Sequence, residues 1–376
     1  MYVLQKQLKN LNKLIQPGKA VIVYGPRRCG KTTLLIKMLE NVKEEYIFAD
    51  GEDISVQNYL SSQSIEKLKG FVGDKKLLVI DEAQKVKNIG LNIKLIVDNI
   101  SEIKVIATGS SSFDLARQLG EPLTGRKYTL KMFPLSQLEL SRMETQAQTD
   151  ALLESRLIYG SYPEVVLMED DFKRVLYLKE ITASYLYKDI LELEGIRHSD
   201  KLVRLLQLLA FQIGKEVSYN ELATQLGMSK NTVDKYLDLL EKSFVIFKLN
   251  GFSRNLRKEI SKNSRYYFYD TGIRNTLINN FNPISMRDDL GMLWENYIIS
   301  ERMKKQEYTG ILANNYFWRT YDKKEIDLIE EREGRLYGYE IKWASKKAKK
   351  PVEWLNTYKN SQYSIINKDN YLDFIV

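Results

Sequence analysis

Apolar positions divide the chain into segments of distinct period. Leu4, Leu8, Leu11 and Ile15 recur at helical spacing and predict a short amphipathic helix, ended by Pro17-Gly18. Ala20–Tyr24 (AVIVY) is short, apolar and β-branched, the pattern of a strand buried on both faces. Leu34, Leu35, Met38 and Leu39 return to helical spacing, and KLLVI at 76–80 and KVIA at 104–107 read as two further buried strands. Residues from about 150 to 197 read as helical and aromatic-rich, with Tyr177, Tyr185 and Tyr187 prominent, a lid or linker. Leucines at helical spacing over 201–213, a short helix at 220–226 closed by Gly227, and a helix at 230–243 capped by Ser229 follow. That last helix has Val233, Leu237 and Leu240 as its apolar face, and a strand at 244–249 completes the order of a winged helix-turn-helix. Farther on, Leu293, Trp294, Tyr297 and Ile298 mark a helix, and 316–319, 325–329 and 335–342 read as strands.

Between the first strand and the second helix stands Gly25-Pro26-Arg27-Arg28-Cys29-Gly30-Lys31-Thr32, followed by Thr33: a G-x-x-x-x-G-K-T loop in the strand-loop-helix order that phosphate binding demands. Gly25 and Gly30 let the backbone curl so that its N–H groups face phosphate oxygens, and the helix N-terminus adds its positive dipole end. Lys31 is placed to reach the β- and γ-phosphates of ATP and Thr32 to ligate Mg²⁺. Cys29 fills space in the loop. The strand at 76–80 ends in Asp81-Glu82-Ala83-Gln84, at the carboxyl end of a strand where ligands bind in open α/β sheets. Asp81 is expected to hold Mg²⁺ and Glu82 to activate the attacking water. The strand at 104–107 runs into Thr108-Gly109-Ser110, which makes Ser110 a candidate γ-phosphate sensor or part of a plain turn. Arg126 is a candidate transition-state arginine, supplied in cis or to a neighbouring subunit, or else a surface residue.

Composition narrows the chemistry. The chain has 376 residues, 44% of them apolar and 28% charged, as in globular proteins of two or three domains. One Cys and one His exclude an intramolecular disulfide and Cys/His zinc clusters, so any metal is left to carboxylates, which suit Mg²⁺ or Mn²⁺. Lys and Arg outnumber Asp and Glu by 57 to 49, a net charge of +8 that is compatible with a nucleic-acid partner. No apolar run approaches the roughly 18 residues of a membrane span, and the N-terminus lacks a signal-peptide pattern, so a cytoplasmic protein without a membrane partner is expected.

GPRRCGKTT, LLVIDEAQ, TGSSS and LTGR…FPLSQLE together resemble prokaryotic AAA-superfamily ATPases that carry a C-terminal domain long catalogued as of unknown function. GSYPEVV (160–166) and DTGIRNTL…LGMLWENYI (270–298) extend the resemblance over nearly the whole chain. The C-terminal order of helix Glu295, strand Asp327 and strand Glu340-Ile341-Lys342 resembles the PD-(D/E)XK nuclease arrangement. Alternate strand residues face one side, so Glu340 and Lys342 point together. Glu295, Asp327 and Glu340 are candidate ligands of Mg²⁺ or Mn²⁺, with Lys342 to stabilise a phosphate or position water.

The expected class is α/β: an AAA-like P-loop NTPase parallel sheet (1–150), a helical lid or linker (151–199), a winged helix-turn-helix (200–255) and a small α/β PD-(D/E)XK nuclease-like domain (256–376). DNA is the expected partner, with Lys230, Asn231, Lys235, Arg254, Arg257 and Lys258 as contact candidates, and homo-oligomerisation is open. The lysine-rich stretch at 346–350 is a further candidate for the phosphate backbone or a solvated loop. Two functions follow. One is an ATPase acting on nucleic acid with a nuclease-like C-terminus; the other is a nucleotide-regulated protein-interaction switch that cuts nothing.

Overall fold

A computed structural model describes residues 2–109, 123–184, 199–253, 264–320, 324–344 and 351–376. The chain forms two compact units, Met1–Pro134 with Lys242–Phe244, and Leu135–Glu241 with Val245–Val376.

The first unit is built on a five-stranded sheet: β1 (Ala20–Tyr24), β2 (Tyr46–Asp50), β3 (Leu77–Asp81), β4 (Lys104–Gly109) and β5 (Lys127–Lys131), in the order β2-β3-β4-β1-β5. Every pairing in it is parallel. β1 and β3 are buried along their whole length, as their unbroken apolar runs require of a sheet covered on both faces. Val21, Val23, Val79 and Ile106 form one core with Leu34, Leu35 and Met38 of the helix Lys31–Leu39 and with Leu11 of the helix Gln7–Leu14. The first helix begins later than its apolar spacing predicts: Leu4 lies ahead of it and is exposed, and Ile15 is already extended.

The second unit opens with a short helix at Gln137–Leu140, followed by helices at Gln146–Tyr159, Pro163–Leu167 and Asp171–Ser184. Thr145 and Gln148 close a reciprocal capping box at the start of the helix Gln146–Tyr159. Tyr177 lies within the described residues; Tyr185 and Tyr187 do not. Helices Ser199–Phe211, Tyr219–Leu226 and Lys230–Lys242 follow. Ser218 accepts from the Glu221 amide to start the middle one, and Gly227 ends it at φ 58°.

The strands β6 (Glu216–Val217), β7 (Ile246–Gly251), β8 (Ser264–Phe268), β9 (Asn314–Arg319), β10 (Glu325–Arg332), β11 (Arg335–Ile341) and β12 (Ser361–Ile366) make one mixed sheet in the order β12-β11-β10-β9-β7-β8-β6. β7 pairs antiparallel with β8 and parallel with β9. The strands that flank the helices of the middle region and those of the C-terminal region therefore share a single seven-stranded sheet, and the boundary drawn at 255/256 runs through it. Behind this sheet lies the helix Leu290–Thr309, in which Arg302 pairs with Glu330 and Lys304 with Glu301, all four buried. Among the described residues no helix is long and apolar enough to cross a membrane.

Candidate functional sites

The loop after β1 folds as its glycines dictate. Gly30 adopts φ 97°, and a Cβ there would meet Gln5 Nε2 at 2.4 Å; one at Gly25 would meet the Met132 carbonyl at 2.5 Å. Gln5 Nε2 donates to the carbonyls of Cys29 and Gly30 at 3.2 Å each, which fastens the loop from the N-terminal side. Arg28 is also left-handed, at φ 61°. Cys29 is fully buried, Pro26 is buried and Arg27 half-buried, whereas Arg28, Thr32 and Thr33 are exposed. Lys31 is buried and its Nζ donates to the carbonyls of Gly25 at 3.0 Å and Pro26 at 2.8 Å.

Thr32 Oγ1 donates to Asp81 Oδ2 at 2.6 Å. The other oxygen of Asp81 accepts from the Thr108 hydroxyl and, at 3.2 Å, from the Glu82 amide. A hydroxyl beside a carboxylate is the donor set that Mg²⁺ takes alongside a nucleotide, and the two are already in contact, so the residues fit the ion. Glu82 is left-handed at φ 47°, a conformation that costs a non-glycine residue of the order of 1–3 kcal/mol and concentrates at functional sites. Its carboxylate accepts from Gln84 Nε2, which aims it.

Arg126 stands elsewhere. β5 runs parallel to β1 with Lys127 opposite Ala20, and the Arg126 carbonyl accepts from the Ala20 amide. It therefore lies at the end of the sheet opposite the phosphate loop, about 13 Å of strand away, and pairs with Asp98. This placement excludes service in cis. Ser110 lies outside the described residues.

Lys230, Asn231 and Lys235 are all exposed on the helix Lys230–Lys242, interleaved with exposed Asp234 and Asp238. Arg254, Arg257 and Lys258, and the lysines at 346–350, lie outside the described residues.

The C-terminal carboxylates gather as a second cluster. Glu340 is the penultimate residue of β11, and Lys342 just beyond the strand pairs with Glu340 at 2.7 Å and approaches Asp327 at 3.8 Å. Asp327 sits where the β10–β9 register shifts between Ile326 and Ile329, a bulge that re-aims its side chain. Its Oδ2 accepts from the Ile341 amide at 2.7 Å. Glu295, from the helix behind, accepts from the Tyr267 hydroxyl at 2.7 Å. Burial, then the Asp327 charge, pushes the Glu295 carboxyl up to about 8. Burial, then Glu340, raises Asp327 to about 6. Burial alone lowers Lys342, but Asp327 and Glu340 outweigh it and hold the ammonium charged.

Three residues absent from the sequence reading belong to this cluster. Arg265, on β8, lies 3.8 Å from Glu295 and 3.9 Å from Asp327, and bonds Glu325 at 2.8 Å. Tyr267 stands two residues on, and Glu325 opens β10. The signal for Arg265 and Tyr267 was the period of two in SRYYF, which puts both on one face of a strand. Among the described residues no group of three or more His, Cys, Asp or Glu side chains is placed to hold a metal ion. The carboxylates thus fit a divalent ion in chemistry but not in arrangement, since fixed cations already face them.

The first unit, with its parallel sheet, phosphate loop and Asp81-Glu82 pair, is a Walker-type P-loop ATPase domain. Residues 17–141 match the family described as AAA domain. Residues 150–283 match "Domain of unknown function (DUF8612)" and 290–373 match "Domain of unknown function (DUF4143)". An uncharacterized protein of Mycobacterium tuberculosis is 27% identical over 341 residues, covering 89% of this chain and 73% of its own length. One from Methanocaldococcus jannaschii is 27% identical over 348 residues, 86% of this chain and 76% of its own. Among solved structures, a Walker-type ATPase of Pyrococcus abyssi aligns with a TM-score of 0.45 at 16% identity, over 73% of this chain and 93% of that one.

Proposed function

We propose that the chain hydrolyses ATP with Mg²⁺ and that nucleotide turnover governs nucleic acid held by its second unit, whose carboxylate cluster is in a non-cleaving arrangement. The observation that carries the ATPase half is the Thr32–Asp81 contact at 2.6 Å beside the phosphate loop. Thr32 and Asp81 would hold Mg²⁺, which neutralises charge on the β- and γ-phosphates when bound. Lys31 places a positive charge on the same phosphates. Glu82, steadied by Gln84, positions the attacking water. The nucleic-acid half is supported by the helix-turn-helix with exposed Lys230, Asn231 and Lys235.

The exposed Asp234 and Asp238 on that same helix favour a second reading, a nucleotide-regulated switch for a protein partner. ATP turnover measured with and without duplex DNA, over a salt series, separates the two. Salt-sensitive stimulation by DNA supports the first, and turnover indifferent to DNA supports the second. Turnover that survives Lys31→Ala would sink the ATPase assignment itself.

A further inference from the structure

Arg265 has the environment of a structural ion rather than of a surface side chain. Its side chain is 5% exposed, and three acidic side chains from two elements surround it: Glu295 of the helix Leu290–Thr309, and Glu325 and Asp327 of β10. Its guanidinium also lies over the Phe317 ring at 4.5 Å, which fixes its plane. Its Nε is buried without a hydrogen-bond partner, so the side chain is held by charge and stacking rather than by a full set of hydrogen bonds. On the far side of Asp327, Lys342 supplies the second cation, at 3.8 Å. Next to the guanidinium opens a cavity of about 390 Å³, lined in part by Gly214, Lys215, Glu295 and Arg319. Gly214 matters there: a Cβ at its φ of 74° would stand 3.0 Å from Glu295 Oε1.

We propose that Arg265 is the resident cation of this cluster, standing where Glu295 and Asp327 would otherwise share a divalent ion, and that the cluster takes such an ion only when the guanidinium withdraws. The adjoining cavity gives it the room to do so. Like charges cannot occupy one desolvated place together, so arginine and metal exclude each other. The inference deepens the non-cleaving half of the reading above and does not depend on ATP turnover.

The test is Mn²⁺ binding to the full chain, without nucleotide or DNA, followed by electron paramagnetic resonance and calorimetry. Wild type and Asp327→Asn are expected to bind Mn²⁺ equally, because neither holds the ion at the cluster. Arg265→Gln is expected to gain an Mn²⁺ equivalent that Arg265→Gln/Asp327→Asn loses again. An Mn²⁺ present in wild type and lost in Asp327→Asn overturns the proposal, as does a folded Arg265→Gln that gains nothing. Should Arg265→Gln fail to fold, Arg265→Met is read in its place, alone and with Asp327→Asn, and a folded Arg265→Met that gains no Mn²⁺ overturns the proposal. A loss of ATP turnover in any of these proteins leaves the Mn²⁺ result intact, so the two readings fail separately.

Discussion

Asp81 and Asp327 are both buried aspartates on sheet strands, 6% and 2% exposed, yet their surroundings are opposite. Asp81 is held by two hydroxyls and an amide, none of them charged, so among the described residues no side-chain cation offsets it. Asp327 lies between Arg265 and Lys342. A carboxylate steadied by neutral dipoles leaves its charge for an incoming ion, whereas one flanked by fixed cations has already spent it. Residue type alone does not separate an ion-accepting site from a self-neutralised one; the charge of the partners does.

The contrast can be broken most forcefully at the first site. Lys31→Ala should lower ATP turnover by about 100-fold or more, because it removes the cation aimed at developing phosphate charge. Asp81→Asn should weaken Mg²⁺-dependent nucleotide binding by about 10- to 100-fold, read by titration with a fluorescent ATP analogue at varied Mg²⁺. Glu82→Gln should cut turnover by about 100-fold while nucleotide binding persists, and equal loss of both would refute its water-positioning role.

At the second site the leverage is on stability. The folded chain keeps a proton on Glu295 up to about pH 8, whereas the unfolded chain loses it near its ordinary 4.5. Folded protein thus binds more protons between those values, and the stability this gives is present at the acid end and fades as pH rises through about 8. Melting temperatures across this range should fall more steeply in wild type than in Glu295→Gln; parallel curves would show that Glu295 does not hold that proton. Tyr267→Phe, which removes the hydroxyl donated to Glu295, should cost about 1 kcal/mol by denaturant unfolding.

The P-loop unit was legible because its chemistry is contiguous. Strand, glycine loop, lysine and helix follow one another, and Asp81 ends a strand whose apolar run announces it. The second site is assembled across distance. Arg265 meets Glu295 and Asp327, 30 and 62 residues later in the chain, and nothing local in SRYYF marks those partners. The bulge that aims Asp327 leaves no trace in the apolar alternation of β10. The helix Leu290–Thr309 buries Arg302, Lys304 and Glu301, and so blurs the polar face by which its length would be read. Arg126 shows the same limit from the other side. Its sequence neighbourhood places it in the ATPase unit, but only strand direction tells which end of the sheet it occupies.

The pairing of β7 with β9 makes the strand after the helix Lys230–Lys242 part of the same hydrogen-bonded sheet as the carboxylate cluster. Strand β8, which carries Arg265, lies between β7 and β6 and is bonded to both. The strand that carries the internal cation is thus an interior member of the sheet, hydrogen-bonded along both edges rather than hung from its rim.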